Sequence, residues 1–456
     1  MDKSMMTKVV VVAVVVVIAA AACVVYFNNG SSSGKDAKID TELQIRGNVN
    51  GDYTIDNEDM KILDEILAGT KDAKDYPLAD ANNDNDVDTK DKELIQDIID
   101  RKSGITVYVL CQDNKGKETT VPVTYPLRNV VTYATNLQLP ALYAGGAPYI
   151  AGYFSRSYDV AESGLDDAVS MGGTTRQISD ASWSKFTAFD AELRESGKGG
   201  VGAVIVDYSG IAQFTDARMA DLKAAEIPMM AYSSADAEQE ITTVLTLGFL
   251  FGEDCEKKSL KYAQESWNVI DYVKSKMEGK KQNSYISLNM YIYICQNDST
   301  FNYVGQSAGG IPYYKVNSSF ASKYSGTGST KMTSVEALSN YTDVNSLINI
   351  RSMDWGLTAD EKKQSIVDTW DHDNAGTSSA EFFKGFEDKL FYIDNLLPGA
   401  VKVAYVAHGL YGDQFSLSWA DGVLKTFIDL DFGPLKGQTM DSVLAFFDYD
   451  DYKAAA

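Results

Sequence analysis

The chain has 456 residues, 45% of them hydrophobic, which is enough for a substantial core spread over two to four domains. Its formal net charge is −23, from 64 acidic and 41 basic residues. That balance argues against nucleic acid as a partner, because phosphates would be repelled. The four cysteines lie far apart with no CxxC pair, so neither a zinc ribbon nor a disulfide-rich scaffold is expected. A single bridge, such as Cys111 to Cys295, stays open.

The first 28 residues contain an uninterrupted apolar run, VVVVAVVVVIAAAACVVYF, from Val9 to Phe27. The run is about long enough to cross a bilayer as a helix. Lys3 and Lys8 precede it and a long polar region follows, which predicts an inside N-terminus and an extracytoplasmic bulk. We expect an uncleaved single-pass anchor, with a cleaved or lipidated leader as the alternative. Residues 29–43 then have the composition of a flexible linker.

Two stretches, GNVNGDYTIDNEDM at residues 47–60 and ADANNDNDVDTKDK at residues 79–92, place carboxylate or amide groups at alternate positions. A twelve-residue calcium loop takes oxygen ligands at positions 1, 3, 5, 9 and 12 and a backbone carbonyl at position 7. We therefore predict two Ca²⁺ sites, in loop 1 (residues 48–59) and loop 2 (residues 80–91). The ligands are Asn48, Asn50, Asp52, the Thr54 carbonyl, Asp56 and Asp59 in loop 1, and Asp80, Asn82, Asp84, the Asp86 carbonyl, Asp88 and Asp91 in loop 2.

Each loop leads into apolar residues spaced three and four apart, so the repeated unit is a loop followed by a helix. With Asp at position 12 and no entering helix, residues 44–103 resemble a dockerin, a small all-α paired EF-hand-like module. The resemblance implies a cohesin-like partner that reads loop positions 10 and 11. These positions hold Asn57-Glu58 and Thr89-Lys90 instead of the usual Ser-Thr pair. An intramolecular spacer is the alternative role.

Position 6 of a calcium loop is normally Gly, because the chain turns sharply there. This chain has Tyr53 and Asn85 at that position. Asn adopts a left-handed conformation readily, whereas Tyr does so only with strain. Loop 1 also begins with a neutral Asn. We therefore expect loop 2 to bind calcium more tightly than loop 1, the alternative being two acidic turns without metal.

From residue 105 onward the pattern changes to strands alternating with helices. A hairpin is predicted in ITVYVLCQDNKGKETTVPV around a turn at residues 113–116, and one long helix is predicted at 253–280. These elements predict an N-terminal α/β lobe at 105–252, a linking helix at 253–280 and a C-terminal α/β lobe at 281–456. The other predicted strands are 130–133, 204–206, 229–232, 285–294 and 401–407, with a helix and then a strand in 334–350.

The order of these elements resembles the solute-binding proteins of ABC importers, in the subgroup for iron-siderophores, haem and cobalamin. The hairpin GKETTVPVTYPLRNVVTYA, the strand IPMM followed by LGFLFG, and the stretch TSVEALSNYTDVNSLINI carry the resemblance. It implies a two-lobed, Venus-flytrap-like fold with a long linking helix, and an ABC permease as a possible partner. The surface Glu residues that dock such proteins to a permease are not found, since the aligned positions are Pro140 and residues 319–321.

In open α/β sheets, ligands lie beyond the carboxyl ends of the strands. The predicted strand ends carry amides, hydroxyls, aromatic rings, a guanidinium and an imidazole, which suit a bulky polar or chelated ligand. His408 is either an axial ligand to a metal complex or a hydrogen-bonded strand-end histidine. The candidate ligand-binding residues are Asn136, Thr174, Tyr208, Asn297, Arg351, Trp355, His408 and Tyr411.

Catalytic signatures are poorly represented, because the chain has two histidines, no HExxH and no P-loop. We therefore expect a non-enzymatic, membrane-anchored extracytoplasmic protein that captures a metal chelate or similar solute and carries a Ca²⁺-dependent dockerin-like module. Two alternatives stay open. One is a dockerin-bearing surface interaction protein, and the other is a polysaccharide-active enzyme.

Overall fold

The structure is a computed structural model that describes residues 36–133, 135–154, 165, 167–173, 177–233, 236–280, 283–289, 293–295, 305–307, 329–331, 346–374 and 387–456. No helix within these ranges is long and apolar enough to cross a membrane. The predicted anchor at Val9 to Phe27 lies outside them. The chain forms two compact units, which we call the N-terminal unit (Ile39–Ser266 with Phe427–Gln438) and the C-terminal unit (chiefly Trp267–Thr426 and Thr439–Ala456).

Two short helices follow the acidic loops, α1 at Asn57–Leu67 and α2 at Thr89–Ile99. Each begins at a capping box, in which the aspartate at loop position 9 caps the helix and the aspartate at position 12 accepts a bond from the cap backbone. Each buries one apolar face against the unit. The predicted loop-then-helix repeat is therefore confirmed as local structure.

The N-terminal unit contains a seven-stranded sheet in the order β2-β1-β7-β6-β3-β4-β5. The predicted hairpin is confirmed, since β1 and β2 pair antiparallel from Ile105↔Tyr125 to Gln112↔Glu118. Strands β3, β4, β5, β6 and β7 are parallel, and β3, β6 and β7 are buried throughout, as their apolar runs predict. The strands are β1 Ile105–Gln112, β2 Glu118–Tyr125, β3 Val130–Tyr133, β4 Ile150–Tyr153, β5 Val169–Ser170, β6 Ala203–Asp207 and β7 Met229–Tyr232.

Helices cover this sheet and lead out of the unit. The long helix predicted at 253–280 is confirmed at Glu253–Met277, and Gly252, at φ +108°, separates it from the helix before it. The helices are α3 Thr135–Tyr143, α4 Asp180–Glu195, α5 Asp216–Ala224, α6 Ala237–Phe251 and α7 Glu253–Met277.

The acidic loops are built into the N-terminal unit. Ile45, just before loop 1, pairs antiparallel with Val109 of β1. Arg46 N donates to Tyr108 O at 2.9 Å, and Leu110 N donates to Gln44 O at 2.9 Å. The compact unit therefore runs without a break across residue 104, where the predicted module and lobe meet.

A second anchor lies at the far end of α2. The Arg101 guanidinium pairs with both carboxylate oxygens of Glu256 in α7, with Nε 2.8 Å from Oε2. The same guanidinium lies 5.3 Å from the centre of the Phe249 ring. Residues at both ends of the loop-helix pair thus hold it to the sheet and its helices.

In the C-terminal unit, a second seven-stranded sheet has the path β11-β9-β8-β12-β13-β14, with β10 paired to β8. Strands β8, β10, β12 and β13 are parallel, and the others are antiparallel. The strands are β8 Asn283–Asn289, β9 Tyr293–Cys295, β10 Gly305–Ser307, β11 Ser329–Lys331, β12 Ser346–Arg351, β13 Leu390–Asp394 and β14 Phe446–Asp448. The helices are α8 Ala359–Asn374, α9 Gly399–Leu410, α10 Leu417–Asp429 and α11 Tyr449–Ala455.

Two strand predictions in this unit are wrong. Residues 401–407 lie inside α9, a helix that is buried on nearly all sides, because a short apolar run fits a buried helix as well as a strand. The single strand predicted at 285–294 is instead an antiparallel pair of strands, β8 and β9, with Leu288 opposite Ile294. The strand predicted at the end of 334–350 is confirmed as β12, while residues 334–345 lie outside the described residues.

Candidate functional site

In loop 1, the position-12 carboxylate is enclosed by the loop backbone. Asp59 is fully buried, and its two oxygens accept bonds from Asn50 N at 3.0 Å and Asp56 N at 2.8 Å. Burial raises the pKa of Asp59 to about 6, although the backbone hydrogen bonds act in the opposite direction. A nearby divalent cation would stabilise the deprotonated form of this carboxylate.

Asn48, at position 1 of the same loop, is also fully buried. Its Nδ2 donates to Leu43 O at 3.0 Å and to Asp52 O at 2.7 Å, while its buried Oδ1 has no hydrogen-bond partner among the described residues. A buried acceptor that lacks a donor is costly. Since position 1 supplies a ligand oxygen in a calcium loop, this free oxygen fits a bound cation.

Loop 2 repeats the backbone arrangement. Asp91 is fully buried and accepts bonds from Asn82 N at 3.0 Å and Asp88 N at 2.8 Å, and burial raises its pKa. Asp80 folds the loop inward by accepting from Asp84 N at 3.1 Å and Asn85 N at 3.2 Å. The two loops therefore hold their position-12 carboxylates by equivalent bonds.

The loops differ at position 6, as their residue types predict. Asn85 adopts a left-handed conformation at φ +70°, whereas Tyr53 is not among the residues with positive φ. Gly51, at position 4, is the left-handed residue of loop 1, at φ +70°. Loop 1 therefore turns without the strain that a left-handed Tyr would carry.

Cationic side chains already approach loop 2. Lys90 Nζ lies 3.4 Å from Asp84 Oδ2 and 3.3 Å from Asp88 Oδ2. Arg46 Nη1 lies 3.5 Å from Asp80 Oδ2. These basic groups partly neutralise the carboxylates that a calcium ion would use.

The side chains at positions 3 and 5 of each loop are hydrogen-bonded to each other. Asn50 Nδ2 donates to Asp52 Oδ2 at 2.8 Å in loop 1, and Asn82 Nδ2 donates to Asp84 Oδ2 at 3.1 Å in loop 2. Among the described residues, no group of three or more His, Cys, Asp or Glu is placed to hold a metal ion by itself. A calcium site in either loop thus depends on amide and backbone oxygens as well as carboxylates, which is the donor set that calcium accepts.

The predicted ligand-binding residues of the N-terminal unit are only partly brought together. Tyr208 directly follows β6, is 37% exposed and lines a cavity of about 590 Å³. Asn136 lies in the first turn of α3, just after β3. Thr174 lies outside the described residues, as does Asn297 of the C-terminal half. The structure thus places Tyr208 at a cavity.

In the C-terminal unit, Arg351 ends β12, and Trp355 is buried, with 3% of its surface exposed. The Trp355 indole donates to Asp394 Oδ2 at 2.6 Å, and Asp394 Oδ1 accepts from Met353 N and Leu396 N, both at 3.0 Å. Complete burial raises the pKa of Asp394 to about 7 despite these donors. Trp355 therefore supports a buried carboxylate that the sequence analysis missed, although the acid that ends the apolar run LFYID was a visible signal.

The strand-end argument for His408 and Tyr411 is wrong, because both lie at the C-terminal end of helix α9. His408 Nδ1 lies 2.9 Å from Phe415 O, and its ring meets Phe446 edge-on. The Tyr411 hydroxyl accepts a bond from Asn283 N. His408 matches the hydrogen-bonded alternative, on a helix instead of a strand.

Comparison with solved structures identifies similar folds. The chain is similar to the TroA-like periplasmic binding protein FepB from Veillonella parvula, with 14% identity and a TM-score of 0.50 over 74% of this chain and 99% of that chain. Helicobacter pylori CeuE with Ni(II) bound gives 11% identity and a TM-score of 0.45, over 71% of this chain and 95% of that one. A solute-binding protein of an ABC transporter from Sulfurospirillum deleyianum gives 12% and 0.46, over 70% and 93%.

No family model matches the sequence, and no curated protein matches it. At 14% identity, the likeness to Veillonella parvula FepB concerns the fold alone. It spans nearly the whole of that protein. The chain therefore has the mixed α/β fold of TroA-like periplasmic binding proteins.

Proposed function

We propose that the protein is an extracytoplasmic solute-binding protein, without catalytic activity, that captures a metal chelate or a similar solute of the siderophore, haem or cobalamin class. The observation that carries this proposal is the fold shared with a periplasmic binding protein over 99% of that protein's length. The motifs that resemble the siderophore, haem and cobalamin subgroup support the ligand class. An ABC permease is the partner that the resemblance implies, although Pro140 lies inside α3 where the docking Glu is expected.

The ligand class is tested by mass spectrometry of natively purified protein, followed by titration with haem, a ferric siderophore and cobalamin. We expect one of the three to be retained or to bind, to raise the unfolding temperature, and to be released unchanged. Product release from a polysaccharide would favour the enzyme alternative. Absence of binding to all three would overturn the proposed ligand class.

We propose further that loops 1 and 2 hold Ca²⁺. The orphaned Asn48 oxygen, the buried Asp59 and Asp91 carboxylates, and the closed turn at Asp80 support this assignment. A bound ion would neutralise the charge of the loop carboxylates and accept the Asn48 oxygen as a ligand. The test is isothermal titration of the full chain with CaCl₂ after treatment with EDTA. Two binding events are expected, and MgCl₂ at the same concentration serves as the control.

The partner that we propose for the calcium loops is a cohesin-like domain. Asn57, Glu58, Thr89 and Lys90, which occupy loop positions 10 and 11, are all exposed. We expect the chain to bind a cohesin domain in a calcium-dependent way. Glu58→Ala and Lys90→Ala should weaken that binding. Unchanged binding by these variants would favour the interpretation of the loops as an internal structural element.

Membrane anchoring through residues 1–28 is tested by fractionating cells that express the chain with and without that segment.

A further inference from the structure

The N-terminal unit contains a cavity of about 590 Å³ that none of the preceding proposals uses as a whole. The segment before loop 1, the β1–β2 hairpin, the ends of β6 and β7, and the first turns of α6 form its walls. Its volume lies in the range of roughly 300–1,000 Å³ that is typical of small-molecule sites. The lining residues used below are Glu42, Arg46, Glu118 and Tyr208.

The free charge at this cavity is negative. Glu42 and Glu118 are both exposed, and neither has a cationic partner in the part of the chain that the structure describes. The Arg46 guanidinium is already engaged, since its Nη1 donates to Asp80 O at 3.0 Å and lies 3.5 Å from Asp80 Oδ2. A positively charged solute would therefore meet two available carboxylates and one cation that is already neutralised.

An aromatic face is available at the same place. Tyr208 is a large side chain that is exposed, at 37%. Partial burial raises its pKa most, and the neighbouring Cys111, Glu118 and Asp207 raise it further. Glu118 and Tyr208 both line this cavity. Aromatic rings beside carboxylates attract organic cations through both cation–π and ionic interactions.

We propose that this cavity is a binding site for a small organic cation, of the primary-amine or quaternary-ammonium class. Tyr208 contacts the cationic head, and Glu118 and Glu42 supply the opposite charge. The polar groups around them, which include Gln44, Gln112 and Ser233, suit a ligand with a hydrogen-bonding tail. The site rests on the geometry of the cavity and does not depend on the metal-chelate proposal. It is tested in the presence of EDTA, because Asp80, which pairs with Arg46, is also a proposed calcium ligand.

The probe is choline, with 3,3-dimethyl-1-butanol as its neutral carbon isostere. Titration calorimetry of the full chain is performed at about 150 mM NaCl, where screening suppresses non-specific attraction to the acidic surface. We expect choline to bind at least about tenfold more tightly than the isostere, because the isostere has the same shape without the charge. Equal binding of choline and its neutral isostere would overturn the proposal. So would a failure of both choline and the amine spermidine to bind.

Variants locate the site. Tyr208→Ala and Glu118→Gln should each weaken choline binding about three- to tenfold, while Tyr208→Phe, which keeps the ring, should retain it. Glu195→Gln, an exposed change at the end of α4 that is not part of the cavity, is the matched control and should bind as the wild type does. Equal losses in Glu118→Gln and Glu195→Gln, with no loss in Tyr208→Ala, would mean general attraction to the acidic protein and would contradict the site. Unfolding curves of each variant confirm that its fold is intact.

Discussion

Loops 1 and 2 have the same spacing of oxygen donors but lie in different surroundings. In both, the position-12 aspartate is fully buried and accepts one bond from the backbone at position 3 and one from position 9. Loop 1 adds a buried neutral amide with an orphaned oxygen, Asn48. Loop 2 has a charged residue there, Asp80, and is approached by Lys90 and Arg46.

This difference separates the effect of oxygen-donor spacing along the chain from the effect of the burial and neighbouring charge around each loop. The repeated spacing produces the same backbone scaffold twice, because the position-12 carboxylate organises each loop. Burial and neighbouring charge then set how each carboxylate titrates and what competes with a cation for it. We expect loop 1 to respond mainly to pH and loop 2 mainly to ionic strength.

The largest expected effect comes from the position-12 aspartates. Asp91→Asn should lower the affinity of the tighter calcium site about 10- to 100-fold, and Asp59→Asn should do the same for the weaker site, because each removes a charged ligand at nearly constant shape. Titration calorimetry of the full chain measures both. If Asp91→Asn removed the weaker event instead, the order of the two loops would be reversed.

The next largest effect is the pH response of loop 1, which should distinguish it from loop 2. Because the pKa of Asp59 is about 6 in the folded chain and about 4 when unfolded, the calcium-free protein is stabilised at low pH. That contribution is lost as pH rises through about 6. Calcium affinity changes in the opposite sense and falls as pH decreases through the same range, because protons compete for the carboxylate. Denaturant unfolding in EDTA, with Asp59→Asn as the variant that lacks this dependence, measures the effect.

The anchor of α2 should sharpen the comparison further. Arg101 fixes the end of the helix that follows loop 2, by its ion pair with Glu256 and its position over Phe249. Arg101→Ala should lower the free energy of unfolding by about 1–3 kcal/mol, since it leaves a half-buried carboxylate unpaired. A thermodynamic cycle with Glu256→Gln isolates the pair. Additive losses in the double variant would show that the two side chains are not coupled.

The smallest expected effect concerns Lys90. Lys90→Ala should raise the calcium affinity of loop 2 about two- to fivefold at low salt, because Asp84 and Asp88 lose a competing cation. The gain should shrink as ionic strength increases. Lys61→Ala, which removes a lysine paired with Glu58 at the edge of loop 1, is the control and should change affinity less. A gain that persists in high salt would contradict the electrostatic explanation.

Local sequence pattern predicted the elements that are determined locally. Strand β3 was placed at its observed bounds because it is a fully buried apolar run between turn residues. Helices α1 and α2 followed from apolar spacing, and the structure adds the aspartate caps that begin them. The apolar run at 401–407 was assigned to a strand because it is too short to separate a buried helix from a buried strand. That error also misplaced His408 and Tyr411.

Contacts between distant residues left no local signal. The pairing of Ile45 with Val109 and the ion pair of Arg101 with Glu256 join segments far apart in the chain, so nothing in the sequence indicated these contacts. The role of Trp355 also left no signal, because the sequence does not distinguish an exposed tryptophan from a buried one. Only the structure places Asp394 beside its indole.

The pairing of the segment before loop 1 with β1 has a practical consequence for dissecting the protein. A shortened chain that starts at residue 105 would leave Tyr108 O and Leu110 N without their present partners, Arg46 N and Gln44 O. An open strand edge of this kind recruits other chains. Such a fragment should therefore self-associate, and residues 44–46 act as a built-in cover that keeps the sheet from extending into its neighbours.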